Sequence, residues 1–129
     1  MSTSIWVRAG GTLTEFSFVK NSSGTVVLQG TDTGLDTIGV CQTAAVSGDM
    51  VEVVIEGFTS VKSGAAVTAG VSVMTNASGL AIDHTGATKM PLGMYLPEGN
   101  DGAAMADSGS GDIVRILLYS NKSLALTAA

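Results

Sequence analysis

The chain has 129 residues and a formal net charge of -5, with six basic residues against eleven acidic ones. This acidic balance leaves few cations to neutralise phosphate groups, so we expect neither nucleic acid nor a membrane surface as a partner. No apolar run is long enough to cross a bilayer, and Cys41 is the only cysteine, which leaves no internal disulfide. Glycine contributes 17 residues and long-chain helix formers are scarce. This composition predicts an all-β fold of short strands and tight turns.

The first predicted element, residues 1–14, is an extended N-terminal arm. This segment shows little hydrophobic periodicity, contains the only tryptophan, Trp6, and includes a glycine pair that separates it from the residues that follow. A compact β domain, a small barrel, is predicted over 15–122. The small, polar residues 123–129 are predicted to form a flexible tail.

Three motifs occur twice along the β domain, in the same order. Each copy has a turn with Asn and Gly, a short apolar strand centred on glycine, and a Gly-Asp pair that begins a longer strand. The paired segments are "KNSSGTVVL" at 20–28 and "TNASGLAID" at 75–83, "IGV" at 38–40 and "LGM" at 92–94, and "GDMVEVVIE" at 48–56 and "GDIVRILLY" at 111–119. This duplication predicts two related β units, about 15–57 and 70–120. The second unit carries nine extra residues, which we place within the insertion 97–109.

The two longer strands each alternate between a core-facing side and an outer side. The residues predicted to face the core are Val51, Val53 and Ile55 in the first strand, and Val114, Ile116 and Leu118 in the second. The outer residues of the first strand are Met50, Glu52, Val54 and Glu56, an acidic set that suits solvent. The outer side of the second strand is more apolar. It therefore offers Ile113, Leu117 and Tyr119 as candidates for a subunit interface, or else it lies under the insertion.

Residue types that carry catalysis are sparse in this chain. His84 is the only histidine, and the side chain of its neighbour Asp83 would point to the opposite side of a strand, which favours an exposed turn residue over a general base. Asp32 and Asp36 lack the further acidic ligands of a calcium loop, so a turn is the favoured interpretation. Cys41 is interpreted as a small buried thiol. We expect no enzymatic activity, no cofactor and no metal site.

The order of four segments resembles the capsid decoration (cement) proteins of tailed bacteriophages. The segments are "GVCQTAAVSGDMVEVVIEG", "SVKSGAAVTAGVSVMTNASGLA", "MPLGMYL" and "GDIVRILLY", and together they cover roughly Gly39 to Tyr119. The resemblance implies a small non-enzymatic β fold, in some members a β-tulip. It also implies a homotrimer on the outer surface of the virion, made in the host cytoplasm, that clamps neighbouring major capsid protein subunits together after the shell matures.

The resemblance also implies a role for the N-terminal arm in gripping the shell. An extended segment can add a strand to an exposed edge of the major capsid protein, with buried aromatic side chains as anchors. The implied capsid-binding residues are Ile5, Trp6, Val7 and Arg8. The alternative is that Trp6 caps the core of its own barrel.

Two other functions fit the same composition. A fibre or spike module of a phage would be more elongated than a decoration protein. A β module that binds glycans or small ligands would need a cluster of exposed aromatic side chains, and the chain contains only six aromatic residues.

Overall fold

The computed structural model describes residues 2–30, 36–86, 89–96 and 111–119. Within these ranges the chain forms nine strands and no helix, so no helix there could span a membrane. The strands are β1 (Ser2–Arg8), β2 (Phe18–Ser22), β3 (Thr25–Leu28), β4 (Thr37–Cys41), β5 (Met50–Lys62), β6 (Ser72–Thr75), β7 (Ala81–Asp83), β8 (Gly93–Tyr95) and β9 (Ile113–Leu118). They form one curled antiparallel sheet with a barrel-like shape, which confirms the predicted all-β fold class.

The order of strands in the sheet is symmetrical about its centre. It runs β3-β2-β4-β5-β9-β8-β6-β7, and β1 pairs with β5 outside this path. Each half contains a hairpin, a third strand beside the first strand of the hairpin, and a fourth strand beside the third. The duplicated motifs of the sequence therefore occupy matching strands, and the pairing of β5 with β9 joins the two halves.

β1 extends this duplication into the N-terminal segment. It pairs antiparallel with residues 50–57 of β5, and residues 57–62 of β5 pair antiparallel with β9. The hydrogen bonds that follow the two pairs also match: Ala9 N donates to Asp49 O at 2.7 Å, and Ser63 N donates to Asp112 O at 2.8 Å. The segment that the sequence assigns to an arm is extended. It supplies the first unit with the strand that β5 supplies to the second.

The layer formed by β2, β4 and β5 is buried on both sides. One row of cross-strand neighbours, Phe18, Val40 and Val54, belongs to one apolar cluster. The residues adjacent to them in the chain, Val19, Cys41 and Val53, belong to a second cluster. Because successive side chains of a strand point to opposite sides, these three strands separate two cores. The first core is shared with β6, β8 and β9, and the second with β3.

A β-bulge in β5 changes the predicted alternation. Ser4 pairs with Val54 while Thr3 pairs with Glu56, so Ile55 is an extra residue on β5. Val51 and Val53 are buried as predicted, and Ile55 packs against the same second core. Val54 lies on the other side of the strand, as predicted, but its predicted exposure to solvent is wrong, because the first core covers it and leaves it 6% exposed. In β9 the alternation is regular and the prediction is confirmed, because Val114, Ile116 and Leu118 are all buried.

Two glycines allow neighbouring strands to approach closely at equivalent points. A Cβ atom at Gly39 on β4 would overlap the carbonyl oxygen of Val54 on β5. A Cβ atom at Gly93 on β8 would lie 2.7 Å from the carbonyl oxygen of Leu117 on β9. These are the central residues of the repeated apolar-Gly-apolar motif, so the motif is explained by backbone contact in both units.

Gly39→Ala is therefore expected to lower the free energy of unfolding by about 1–3 kcal/mol, because β4 must move away from β5 to admit the methyl group. Urea denaturation of the purified chain measures this change. The matched control is Gly30→Ala, where no atom lies within 4 Å of the added Cβ. Equal unfolding midpoints for the two variants would contradict this explanation of the motif.

Candidate functional site

The outer side of β1 and of the first part of β5 exposes two large apolar side chains, Trp6 and Met50. Trp6 lies opposite Glu52 and Arg8 lies opposite Met50. Trp6 is 64% exposed and Met50 is 52% exposed. We call this surface the first face and define it by Ser4, Trp6, Arg8, Met50 and Glu52. An exposed indole beside a methionine is the composition of a contact surface for another macromolecule.

Polar side chains of the first face are fixed by hydrogen bonds. Ser4 Oγ donates to Glu52 Oε2 at 2.7 Å, which ties β1 to β5 across the sheet. Arg8 Nη1 donates to the carbonyl oxygen of Gly48 at 2.8 Å. The face carries one positive and one negative side chain, so its charge is balanced. The side chain of the first face that is available to contact a partner is the indole of Trp6.

The four predicted capsid-binding residues therefore lie in different environments. Trp6 and Arg8 lie on the first face, and the exposure of Trp6 shows that it does not cap a core of its own barrel. Val7 packs against the second core, opposite Val51. Ile5, opposite Val53, is 37% exposed and lies at the margin of the same core side. The sequence analysis placed Met50 on the outer side with Glu52, but it did not identify Met50 as a candidate contact residue.

The edge of β1 that faces away from β5 is a second feature of this region. Among the described residues, Ser2–Arg8 pair with β5 alone, and the chain directly after them bridges to β3 through Ala9 and Val26. An edge strand presents unpaired N–H and C=O groups that an extended segment of another chain can pair with. The edge and the first face together make β1 the best candidate contact of the first unit.

The equivalent surface of the second unit lies on the second part of β5 and on β9. Phe58 lies opposite Leu117, Ser60 opposite Arg115, and Lys62 opposite Ile113. We call this surface the second face and define it by Phe58, Ser60, Lys62, Ile113, Arg115 and Leu117. Ile113 is 51% exposed, close to the value for Met50 at the equivalent position of the first face.

Arg115 gives the second face its chemical character. The central carbon of its guanidinium lies 4.2 Å from the centroid of the Phe58 ring, a cation–π contact. Its Nε atom is buried and has no hydrogen-bond partner. The side chain therefore packs on Phe58, and its Nε–H donates no hydrogen bond. The sequence identified neither residue, because their contact depends on the register between β5 and β9.

The three predicted interface residues also lie in different environments. Ile113 and Leu117 lie on the second face, the former exposed and the latter partly buried. Tyr119 is partly buried, its hydroxyl is hydrogen-bonded to Ser72 Oγ at 2.8 Å, and its backbone N–H donates to Leu92 O. Tyr119 therefore contributes to the cohesion of the second unit. The insertion at 97–109 lies outside the described residues, so whether it covers this face stays open.

An open groove adjoins the second face between the two units. Its apolar residues are Leu28, Leu80 and Ile113, and its polar residues are Thr14, Glu15, Lys62 and Ser78. One acidic and one basic side chain lie among these residues. The groove therefore extends the second face toward the two hairpins, and its described lining residues include no histidine or cysteine.

The residues considered for catalysis do not form a catalytic arrangement. The ring nitrogen Nε2 of His84 is hydrogen-bonded to Lys89 O at 2.7 Å. Both carboxylate oxygens of Asp83 accept hydrogen bonds from Thr68, at 2.9 Å from its N–H and at 2.7 Å from its hydroxyl. Among the described residues, no group of three or more His, Cys, Asp or Glu side chains could hold a metal ion.

Cys41 is a buried thiol in the second core, as the sequence predicts. Its Sγ donates to the carbonyl oxygen of Thr14 at 2.9 Å. Desolvation by burial raises the pKa of the Cys41 thiol, and hydrogen bonds from Ser17 oppose this effect only in part. A thiol that resists ionisation is a poor nucleophile, so Cys41 has a packing role.

The raised pKa of Cys41 predicts how stability depends on pH. The contribution of this thiol to the free energy of unfolding is constant while it is protonated in both the folded and the unfolded chain. The free energy of unfolding falls as pH rises above about 8.5, because the unfolded chain loses this proton before the folded chain does. Urea denaturation between about pH 7 and pH 10 measures the fall. Cys41→Ala is the control, because it removes this contribution and leaves the titration of lysines and tyrosines. An identical pH dependence in both proteins would contradict the assignment.

The chain is similar in sequence to one known protein family and in fold to a solved structure. The sequence model of the family described as phage cement protein matches residues 8–116, most of the chain. No curated protein sequence matches significantly. Among solved structures, the head fiber gp8.5 N base of bacteriophage phi29 is similar, with a TM-score of 0.65 and 16% sequence identity over 95% of this chain and 98% of that chain. At this identity the likeness shows a common fold.

Proposed function

Because the chain belongs to the phage cement protein family, we propose that it is a capsid decoration protein that binds the outside of the matured major capsid protein shell and bridges neighbouring subunits. The observation that carries the proposal is the first face, where an exposed tryptophan on the edge strand β1 and an exposed methionine on its neighbour β5 lie on the same side. Such a surface serves binding. The described residues also hold no group of three or more His, Cys, Asp or Glu side chains that could hold a metal ion.

The proposed binding residues are those of β1. Trp6 is the anchor, because aromatic side chains that become fully buried contribute most of the free energy at protein interfaces. Arg8 lies beside it, Ile5 lies at the margin of the same strand, and Val7 holds the strand against the second core. The unpaired edge of β1 gives the shell protein a place to add an extended segment.

Binding of this kind stabilises a shell by linkage. A protein that binds the matured shell and not the dissociated subunits shifts the equilibrium toward the assembled particle. A homotrimer, the assembly that we propose on the capsid, would hold three such surfaces in one body. Several weak contacts then act as one strong attachment. The protein would be made in the host cytoplasm and act on the outer surface of the virion.

A head-fibre base is the second candidate, favoured by the structural likeness to the phi29 head fiber base. The two functions differ in copy number. A decoration protein covers repeated positions of the shell, so its number per particle is a simple ratio to that of the major capsid protein. Quantifying the chain in purified particles separates this from the few copies expected of a structure attached at special sites.

The first face predicts the effect of Trp6→Ala. This variant is expected to weaken binding to matured shells that lack the chain by at least about 2 kcal/mol, roughly 30-fold. Removing an exposed side chain should leave the unfolding midpoint unchanged. Co-sedimentation isotherms with purified shells measure the affinity.

Val71→Ala is the matched control for this experiment. Val71 is also partly exposed, at 36%, but it lies in the turn before β6 and away from β1. The control should bind shells as the parent chain does. If Trp6→Ala binds as tightly as Val71→Ala, the first face is not the shell contact. If the parent chain does not bind shells, decoration itself is refuted.

A further inference from the structure

One turn of the fold contains a residue type that its conformation disfavours. The residue two positions before β2, β5, β6 and β9 has a positive φ in every case, and before the last three strands it is a glycine: Gly48, Gly70 and Gly111. Before β2 it is Phe16, with a φ of 58°. A bulky residue in this conformation costs stability, and strain of this kind concentrates where a side chain has a functional contact.

Neither the turn nor the packing of the cores requires an aromatic ring at this position. The backbone of Phe16 makes its contacts with the neighbouring strands: its N–H donates to Cys41 O at 3.0 Å, and its carbonyl oxygen accepts from Lys62 N–H at 2.7 Å. The equivalent glycine makes the first of these contacts equally well, because Gly70 N–H donates to Tyr95 O at 2.8 Å. The side chain of Phe16 is partly buried and belongs to neither core. We therefore look for a contact outside the chain.

Phe16 adjoins the groove between the two units. Thr14 and Glu15, which precede it, line this groove. Lys62, which donates to its carbonyl oxygen, lines the groove as well. The groove has a volume of about 370 Å³, and its apolar lining residues are Leu28, Leu80 and Ile113. A cavity of this size, with a mainly apolar lining and a few polar groups, accommodates a large apolar side chain of a partner.

The charges at the groove favour an occupant without net charge. Glu15 and Lys62 are both exposed and contribute one negative and one positive charge, so the groove is neutral on a chain that carries a net charge of -5. A charged side chain would lose hydration on entering the groove without a net electrostatic gain. An apolar side chain would instead bury Ile113, which is 51% exposed. The groove is therefore complementary to an apolar side chain.

We propose that the groove, with Phe16 at its margin, binds an apolar side chain on an extended, uncharged segment of the shell protein. The inference rests on the proposed function, because a protein that bridges neighbouring subunits needs a second contact besides the first face. The first face lies along the first part of β5, and Lys62 ends this strand, so the two contacts are at opposite ends of it. A second copy is not the occupant, because the exposed Trp6 and Met50 of that copy lie on the first face, which the proposed function assigns to the shell.

Phe16→Gly separates a binding role from a packing role. This variant is expected to raise the urea midpoint, because glycine adopts a positive φ without strain. It is also expected to weaken binding to matured shells that lack the chain at least about tenfold, measured by co-sedimentation isotherms. Ser23→Gly is the matched control, because Ser23 also has a positive φ, of 52°, but lies in the turn between β2 and β3. The control should raise the urea midpoint and bind shells as the parent chain does.

A blocked groove provides a second variant that does not depend on the turn. Ser78 is exposed and lines the groove, so Ser78→Trp should fill it and weaken shell binding at least about tenfold with an unchanged urea midpoint. Ala77→Trp is the control, because Ala77 is exposed in the same turn and is not a lining residue. It should bind as the parent chain does.

Three results would overturn the proposal. The first is that Phe16→Gly and Ser78→Trp bind shells like their controls, and a lower urea midpoint of Phe16→Gly would then assign its ring to packing. The second is that the free chain self-associates and Ser78→Trp abolishes this association, which would assign the groove to a second copy. The third is that the parent chain does not bind shells, which refutes decoration as well. If Trp6→Ala alone weakens binding, decoration stands and the groove is not a shell contact.

Discussion

The structure depends on β5, the one strand that belongs to both units. Its first part pairs with β1 and β4, and its second part pairs with β9. The strand also contributes Val51 and Val53 to one core and Val54 and Val61 to the other. Val53 and Val54 face opposite cores because successive side chains alternate, and the extra residue at Ile55 places Val61 on the same side as Val54.

Much of the fold was predictable because glycine marks the same backbone requirements twice. Gly48 and Gly111 both have positive φ angles before the long strands, and Gly39 and Gly93 both admit a close neighbour strand. These requirements depend on backbone geometry, so glycine occurs at the equivalent positions of both units. The turns, the short central strands and the long strands could therefore be matched without knowledge of their partners.

The features that the sequence did not reveal depend on contacts between distant segments. The bulge in β5 depends on how β1 pairs with β5, and no local sequence pattern indicates this bulge. The equivalence of the N-terminal segment was concealed at Phe16, which has a φ of 58° where its counterpart Gly70 has a φ of 80°. Both backbone N–H groups donate in the same way, Phe16 to Cys41 O and Gly70 to Tyr95 O. An aromatic residue in a conformation that favours glycine removes the signal by which the duplication is otherwise recognised.

The duplication also explains how a chain with one repeated backbone can present two different surfaces. The core positions of both units are constrained by packing, whereas the outer positions are free to diverge. Trp6 occurs where the second unit has Ser60, and Glu52 occurs where the second unit has Arg115. The candidate site could be predicted from the sequence only as far as the outer side of each strand. The grouping of Trp6 with Met50, and of Arg115 with Phe58, required the cross-strand register.

The shared strand also has a mechanical consequence for the chain. The first face lies along the first part of β5 and the second face along the second part, so a pulling force between them runs along the strand, over thirteen residues or about 40 Å. The hydrogen bonds of the ladder lie perpendicular to that direction. They are therefore loaded in shear, all at the same time, and cannot be opened one after another as in a peeled hairpin. The part of β5 between the first face and the second face is in this way arranged to resist a force along the strand.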